Sequence, residues 1–248
     1  MNSDKKALKE SVCAGMRKMM FSSPTVYEYV ERAPLSELVS VNTLLTREQE
    51  LRTVSRRARL IKSAGFPTLK SFDGYDFTGI QFPNLLDKEH MLSLDFIPQK
   101  KTLVFYGGCG SGKTHAMTAL AMAACGRDFK VRFYTLSALV MMLKNAKALN
   151  TLDRMYRMLS SADLLCLDEF GYLPLDIESG QLLFNVISNA YEKQALIITT
   201  NLPFNDWGPL FADDQLAAAV IDRIVHYGHL IKTGNKDWRL EHSLMIDR

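Results

Sequence analysis

The sequence predicts an α/β fold in which a mostly parallel sheet is flanked by helices and follows a small all-helical N-terminal domain. Short apolar runs such as Val131–Thr135 and Ala195–Thr199 have the length and β-branched content of buried strands, and helical patterns separate them. The region from Ser3 to about Ala64 contains no such run. Hydrophobic residues make up 47% and charged residues 23% of the 248 residues, which is typical of a globular chain with a sizeable core.

The region up to Ala64 is predicted to be helical, with breaks at Pro24 and Pro34. Up to Phe77 the chain has 13 lysines and arginines against 9 acidic residues, whereas the remainder has 17 against 18. A basic helix with a narrow apolar face can lie along a phosphate backbone. The alternative is a solvated helix whose cations pair with nearby acids. The predicted DNA-binding residues here are Arg52, Arg56, Arg57, Arg59 and Lys62.

A short segment, Thr68–Phe77, is predicted to link the helical region to the second domain. Its aromatic residues, Phe72, Tyr75 and Phe77, either flank an adenine ring or anchor the core, and the second role is the more frequent for aromatic side chains. A helix is predicted next, from Asn84 to Asp95.

A glycine-rich turn follows the predicted strand Leu103–Tyr106 and leads into an apolar helix, His115–Cys125. It matches G-x-x-x-x-G-K-[ST], a phosphate-binding pattern, in the required order of strand, loop and helix. Lys113 can supply a charge for the outer phosphates of ATP, and the Thr114 hydroxyl can be a ligand of Mg²⁺. The predicted nucleotide-binding residues are Gly107, Gly108, Cys109, Gly110, Ser111, Gly112, Lys113, Thr114 and His115.

Another buried strand is predicted to begin at Asp163 and to end in two acidic residues, Asp168 and Glu169. In a parallel sheet the C-terminal ends of the strands meet at the ligand-binding edge. Asp168 is therefore a predicted Mg²⁺ ligand, and Glu169 is predicted to orient or deprotonate the attacking water. Asn201 follows the strand Ala195–Thr199, so its amide is expected to reach the same edge.

Further cations lie on helices near these strands. Lys144 and Lys147 are one turn apart on a predicted helix, Leu136–Ala148, and Arg154 and Arg157 repeat the spacing on the next one. The two pairs either grip nucleic acid or form solvated faces. Lys144 and Lys147 are included among the predicted DNA-binding residues.

In the C-terminal part, the sequence predicts a helix, Asp213–Tyr227, and a last strand, His229–Lys232. Arg223 is either a helix-terminal charge or an arginine finger, which contributes about 10³–10⁵ in rate where one operates. His226 and His229 have no further obvious ligand partners in the sequence and are interpreted as structural.

Composition and cysteine spacing also indicate the cellular compartment. No apolar run approaches the roughly 20 residues of a membrane span, and the polar N-terminus resembles no secretory signal. The four cysteines are scattered without C-x-x-C spacing, which indicates neither a disulfide framework nor a zinc site. We therefore expect a cytoplasmic protein with no membrane partner.

Four phrases, GGCGSGKTH, LLCLDEFGYLPLD, IITTNLPFNDWGPLF and LAAAVIDRIVHYGHLI, closely resemble the IstB-type transposition helper ATPases. These are AAA+ proteins of bacterial insertion sequences, related to the helicase loader DnaC and the initiator DnaA. The resemblance implies a P-loop AAA+ core. It also implies that Lys113 and Thr114 are the Walker A lysine and hydroxyl, and Asp168 and Glu169 the Walker B pair. Asn201 would be the first sensor.

The same resemblance implies that Arg223 is an arginine finger that reaches the ATP of a neighbouring subunit. It implies an ATP hydrolase, stimulated by DNA, that oligomerises as a ring or helical filament on duplex DNA, deforms it and recruits a transposase. A DnaC-like replicative helicase loader is the alternative.

The expected division is residues 1–66 for DNA binding and assembly, 67–78 as linker and 79–248 as the ATPase domain. Too few residues follow the last strand for a full C-terminal lid, so the lid is expected to be absent or minimal and Arg239 to be a speculative substitute for its sensor.

Overall fold

A computed structural model describes residues 2–172, 174–234 and 236–241 of the chain. The chain divides into two compact units, residues 1–59 and 60–248. In the described ranges we find no helix with the length and apolar character needed to cross a bilayer.

The first unit is helical, as predicted. It contains α1 (Asn2–Lys18), α2 (Ser23–Arg32) and most of α3 (Leu35–Ala64). Pro24 lies in the first turn of α2, where its missing N–H costs nothing, and Pro34 precedes α3. A small core holds the helices together, and it consists of Val12, Met16, Val26, Val30, Leu38 and Leu45.

The second unit is built on a five-stranded sheet whose strands all run parallel, in the order β2-β3-β4-β1-β5. Its strands are β1 (Thr102–Tyr106), β2 (Val131–Thr135), β3 (Leu164–Phe170), β4 (Ala195–Thr200) and β5 (Gly228–Lys232). The helices are α4 (Lys88–Leu92), α5 (Lys113–Gly126), α6 (Leu136–Ala148), α7 (Leu152–Ser160), α8 (Ile177–Ala190), α9 (Gly208–Phe211), α10 (Asp214–His226) and α11 (Trp238–Glu241). This confirms the predicted α/β class.

Alternate residues along each strand enter two separate cores, one on each face of the sheet. Leu103 and Phe105 pack with α5, whereas Val104 between them packs on the opposite face with α6, α8 and α10. Because both faces are covered, the three central strands, β3, β4 and β1, are mostly apolar and buried. The largest buried side chain is that of Trp207, which stacks on Phe170 with ring centroids 4.3 Å apart.

The predicted helix from Asn84 to Asp95 is shorter in the structure, where only Lys88–Leu92 is α-helical. Asp87 caps this helix by accepting a hydrogen bond from the backbone N–H of His90. Leu94 has a positive φ of 61°, which ends the helical path.

Candidate active site

The phosphate-binding pattern forms a tight loop between β1 and α5. Gly110 and Gly112 have φ values of 70° and 85°, in the left-handed region that favours glycine. A Cβ atom added to Gly112 would lie 3.0 Å from the hydroxyl of Tyr75. Gly112 is the N-cap of α5 and carries no side chain that could accept from the first N–H groups of the helix. These donors and the helix dipole are therefore directed at the loop, as an anion site requires.

The Lys113 side chain is held inside this loop. Its residue is only 7% exposed, and its Nζ donates to the carbonyl oxygens of Gly107 at 2.9 Å and Gly108 at 2.6 Å. Burial lowers the pKa of the Lys113 amine, whereas the neighbouring Cys109 and Asp168 act to raise it. The loop thus encloses a cation, which is the chemistry needed to attract phosphate.

Asp168 lies at the end of β3 and is 4% exposed. Its Oδ1 accepts hydrogen bonds from the hydroxyls of Thr114, at 2.9 Å, and of Thr199. The structure therefore brings together the two side chains predicted to hold Mg²⁺. Among the described residues no three His, Cys, Asp or Glu side chains are grouped as metal ligands. A carboxylate and a hydroxyl nevertheless suit Mg²⁺, which takes few protein ligands and completes its shell with water and substrate phosphates.

Glu169 has an unusual backbone conformation. Its φ is 60°, and the pairing of β3 with β4 shifts register between Leu167 and Phe170. The backbone N–H of Glu169 donates to the hydroxyl of Thr199 at 3.0 Å. As a result the Glu169 side chain is exposed, and it lines a cavity of about 500 Å³ together with Tyr172 and residues of α6 and α8.

Asn201 follows β4 at the same edge of the sheet, since Thr200 pairs with Tyr106, the last residue before the phosphate loop. The Oδ1 atom of Asn201 is buried and has no hydrogen-bond partner in the part of the chain that the structure describes. Buried polar atoms are normally paired, so an orphaned one beside a phosphate loop fits a site that binds a polar ligand or ordered water.

Two threonines at this edge were not predicted from the sequence. Thr199 supports both Asp168 and Glu169, as described above. The Thr233 backbone N–H donates to the carbonyl oxygen of Tyr106 at 2.8 Å, and its hydroxyl contacts that of Ser111 at 2.7 Å. Thr199 lies in one of the family phrases, which assigns it no role, and Thr233 lies outside them. The pairing of β4 with β3 and of β5 with β1 places them here.

The aromatic residues after the N-terminal region pack against one another and against the core behind α5. Tyr75 lies 5.5 Å from Phe72 and 4.9 Å from Phe77, measured between ring centroids. Its hydroxyl donates to the carbonyl oxygen of Gly112 at 3.3 Å, and burial, with a smaller effect from Asp76, raises its pKa to about 12. His115 lies 5.0 Å from the Tyr75 ring. These rings act as core anchors, and they also form a wall next to the loop.

Arg223 lies away from the phosphate loop. Tyr227, which follows α10, accepts a hydrogen bond from the N–H of Thr102, the first residue of β1, so the last turn of α10 approaches the opposite edge of the sheet. The Arg223 guanidinium donates to the carbonyl oxygen of Ala219 at 2.8 Å and stacks over the ring of Phe184 at 4.7 Å.

The predicted DNA-binding residues occupy two kinds of environment. Those on α3 are exposed, as are the apolar side chains of Leu51 and Val54 between them. By contrast, Lys144 and Lys147 on α6 form ion pairs with acids at the start of α8. The Nζ atoms of Lys144 and Lys147 lie 2.6 Å from carboxylate oxygens of Asp176 and Glu178, respectively.

The Nδ1 of His226 lies 2.6 Å from the Tyr191 hydroxyl. Arg154 and Arg157 are exposed on α7.

A glycine-rich phosphate loop beside a strand-end aspartate, at the C-terminal edge of a parallel five-stranded sheet, defines a P-loop nucleotide-binding domain. The family model for the IstB-like ATP binding proteins matches residues 15–245, and the chain belongs to this family.

Two relatives illustrate this membership, and one solved structure has a similar fold. The chain is 34% identical to a Bacillus thuringiensis subsp. berliner protein named as an ATP-binding protein of insertion sequence IS232. This match extends over 212 residues, which are 83% of this chain and 84% of the relative. It is 35% identical over 184 residues to the corresponding protein of IS21 from Pseudomonas aeruginosa, covering 73% and 68%. The fold is similar to the crystal structure of DnaI, with a TM-score of 0.53 and 16% identity over 71% of this chain and 93% of that chain.

Proposed function

We propose that this protein hydrolyses ATP, assembles on duplex DNA and assists the transposase of an insertion sequence. The observation that carries the proposal is the arrangement of charges on the second unit. The other candidate groups for ATP hydrolysis lie at one edge of the sheet, while Arg223 lies toward the opposite edge. A nucleotide bound by one copy can then meet Arg223 only from a second copy.

Each residue at the phosphate edge has a role in this proposal. The N–H groups at the start of α5 and the Lys113 amine bind the phosphates. Thr114 and Asp168 hold Mg²⁺, which offsets phosphate charge when it is bound. The positive φ of Glu169 directs its carboxylate outward into the cavity, where it orients or deprotonates the attacking water. The unpaired Oδ1 of Asn201 accepts a hydrogen bond from that water.

Assembly follows from the position of Arg223. A contact between the arginine of one copy and the nucleotide of the next is heterologous, because two different surfaces meet. Repeated contacts of this kind close into a ring or continue as a helical filament. A single copy should therefore hydrolyse ATP slowly.

DNA binding is assigned first to the basic face of α3. Arg52, Arg56 and Arg59 are spaced by four and three residues, so they lie on one side of the helix. Arg57 and Lys62 extend this surface, and all five residues are exposed. The Nε of Arg52 lies 2.6 Å from a carboxylate oxygen of Glu48, an exposed i,i+4 pair that costs little to open.

We assign a second contact with DNA to Lys144 and Lys147. To reach phosphates they must leave Asp176 and Glu178, and exposed ion pairs of this kind contribute about 0–1 kcal/mol each. DNA binding at α6 would free both acids, and one of them, Asp176, lines the same cavity as Glu169. DNA binding at α6 is thereby connected to the surroundings of Glu169, which supports a rate of ATP hydrolysis that rises when DNA is bound.

The names of the relatives support the transposase partner, since they are ATP-binding proteins of insertion sequences. Membership of this family favours a transposition helper over a helicase loader, which remains the alternative.

Assembly on DNA tests the proposal directly. Purified protein is mixed with a duplex of defined length, with or without a non-hydrolysable ATP analogue and Mg²⁺, and its mass is followed by light scattering and electron microscopy. We expect assemblies that require both the nucleotide and the duplex. A single protomer under every condition would refute the proposal. A strong preference for single-stranded DNA, together with a stable complex with a helicase hexamer, would favour the loader instead.

A further inference from the structure

The guanidinium of Arg223 is held by two groups of its own chain. It donates to the carbonyl oxygen of Ala219, one turn earlier on α10, at 2.8 Å. Its central carbon lies 4.7 Å from the centroid of the Phe184 ring on α8. Arg223 and Phe184 are both half-buried. The arginine side chain is therefore fixed against its own subunit on one side and accessible on the other.

The packing of α8 on α10 sets the position of the Phe184 ring. A Cβ atom added to Gly180 of α8 would lie 2.9 Å from Cδ2 of Leu216, so the two helices approach closely where α10 begins. Phe184 lies one turn farther along α8, and it faces Arg223, two turns along α10 from Leu216. Phe184 also packs against the buried core on this face of the sheet. Because protein cores are close-packed, the ring is a fixed support for the arginine.

These contacts leave most of the guanidinium available to an anion. A guanidinium has five N–H donors in one plane, and an aromatic ring attracts its face without using any of them. The carbonyl oxygen of Ala219 takes one donor. Within the ranges that the structure describes, no carboxylate forms an ion pair with Arg223. Its charge is thus not neutralised by its own chain, and its remaining donors can meet a phosphate.

We propose that Phe184 is a positioning residue for ATP hydrolysis, which holds Arg223 in the orientation in which it meets the nucleotide of a neighbouring copy. An arginine that is already fixed loses less conformational freedom when it binds phosphate, so more of the contact energy is available to the reaction. Phe184 acts through Arg223 and does not itself need to touch the nucleotide. This inference rests on the proposed ATP site that two copies share.

Phosphate release with saturating ATP and duplex DNA measures the effect of Phe184→Leu, which keeps an apolar side chain but removes the ring face. We expect the rate to fall about 2- to 30-fold, the factor that corresponds to a cation–π contact. Binding of a fluorescent non-hydrolysable ATP analogue should change less than about twofold, because the phosphate loop lies at the opposite edge of the sheet. Phe184→Tyr keeps the ring face and should restore most of the rate.

Phe129→Leu is the matched control, since Phe129 is also half-buried but packs on the opposite face of the sheet. It should release phosphate at the parent rate. An equal loss of rate in Phe129→Leu and Phe184→Leu would attribute the effect to packing alone and overturn the inference.

Mixing variants shows whether Phe184 acts through the arginine of its own copy. Phe184→Leu has an intact Glu169, and Glu169→Gln has an intact arginine on its ring, so their mixture should release more phosphate than the sum of the separate rates. A mixture of Phe184→Leu with Arg223→Ala should give no such gain, because both variants supply a defective arginine.

A parent-like rate in Phe184→Leu, or a loss that mixing with Glu169→Gln does not relieve, would overturn the inference. A mixture of Arg223→Ala with Glu169→Gln is the reference for these results. If that mixture gains activity and the one with Phe184→Leu does not, only the role of Phe184 is wrong. If neither mixture gains activity, the proposed shared site fails as well.

Discussion

Replacing Thr199 by valine should separate ATP binding from ATP hydrolysis. The Thr199 hydroxyl donates to the carboxylate of Asp168 and accepts the N–H of Glu169 at 3.0 Å. Valine has nearly the same shape but can do neither. Asp168 would keep its bond from Thr114, whereas the strained backbone of Glu169 would lose the bond that holds it.

The size of the effect follows from these two bonds. A hydrogen bond to a charged group contributes about 1.5–3 kcal/mol, and an N–H left unpaired costs about 1–3 kcal/mol. Because water can reach the exposed Glu169, we take the lower half of the sum, about 2.5–4 kcal/mol of unfolding free energy. For a unit of this size that loss lowers Tm by about 5–16 °C.

Two assays test the Thr199→Val prediction. ATP-analogue binding, measured by fluorescence titration, should change less than about threefold, because the N–H donors of α5 and Lys113 are untouched. Phosphate release with saturating ATP and DNA should fall about 10- to 100-fold, because Glu169 loses its fixed position. Thr199→Ser keeps the hydroxyl and is the control, with activity near the parent value. Parent-like hydrolysis and Tm in Thr199→Val would refute the role of Thr199.

The remaining predictions concern the loop cation and the lysines of α6. Lys113→Ala should abolish both measurable binding of the ATP analogue and ATP-dependent assembly in light scattering, because the loop loses its enclosed cation; normal assembly with ATP would contradict the phosphate role. The double variant Asp176→Asn with Glu178→Gln should bind duplex DNA more tightly and with a steeper dependence on salt, because it releases Lys144 and Lys147 from their acidic partners. Fluorescence anisotropy in a salt series measures this, and unchanged affinity and slope would exclude α6 from the DNA contact.

Much of the fold could be predicted from the sequence because its signals are local. Both faces of the sheet are covered, so the central strands contain continuous apolar runs, and the glycine-rich turn specifies its own conformation. The strands at Val131–Thr135 and His229–Lys232 were placed correctly to within a residue. Helix α8 was not predicted; its first turn carries the acids that pair with Lys144 and Lys147.

The parts of the site that could not be predicted depend on contacts between distant segments. Thr199 and Asp168 meet because β4 pairs with β3, and no spacing in the sequence indicates which threonine faces the carboxylate. The contact of Asp237 with Gly110 likewise depends on the return of the chain after β5. The roles of Glu169 and Asn201 remain predictions, supported by their positions at one edge of the sheet.

The claim that one ATP site is completed by two copies can be tested by mixing two inactive variants. Arg223→Ala lacks the arginine and Glu169→Gln lacks the carboxylate that acts on water, so each should release little phosphate by itself with ATP and duplex DNA. In a mixture, the intact Glu169 site of one variant can face the intact Arg223 of the other. We predict that phosphate release by an equimolar mixture clearly exceeds the sum of the two separate rates. A mixture no more active than that sum, although both variants bind the ATP analogue, would contradict the shared site.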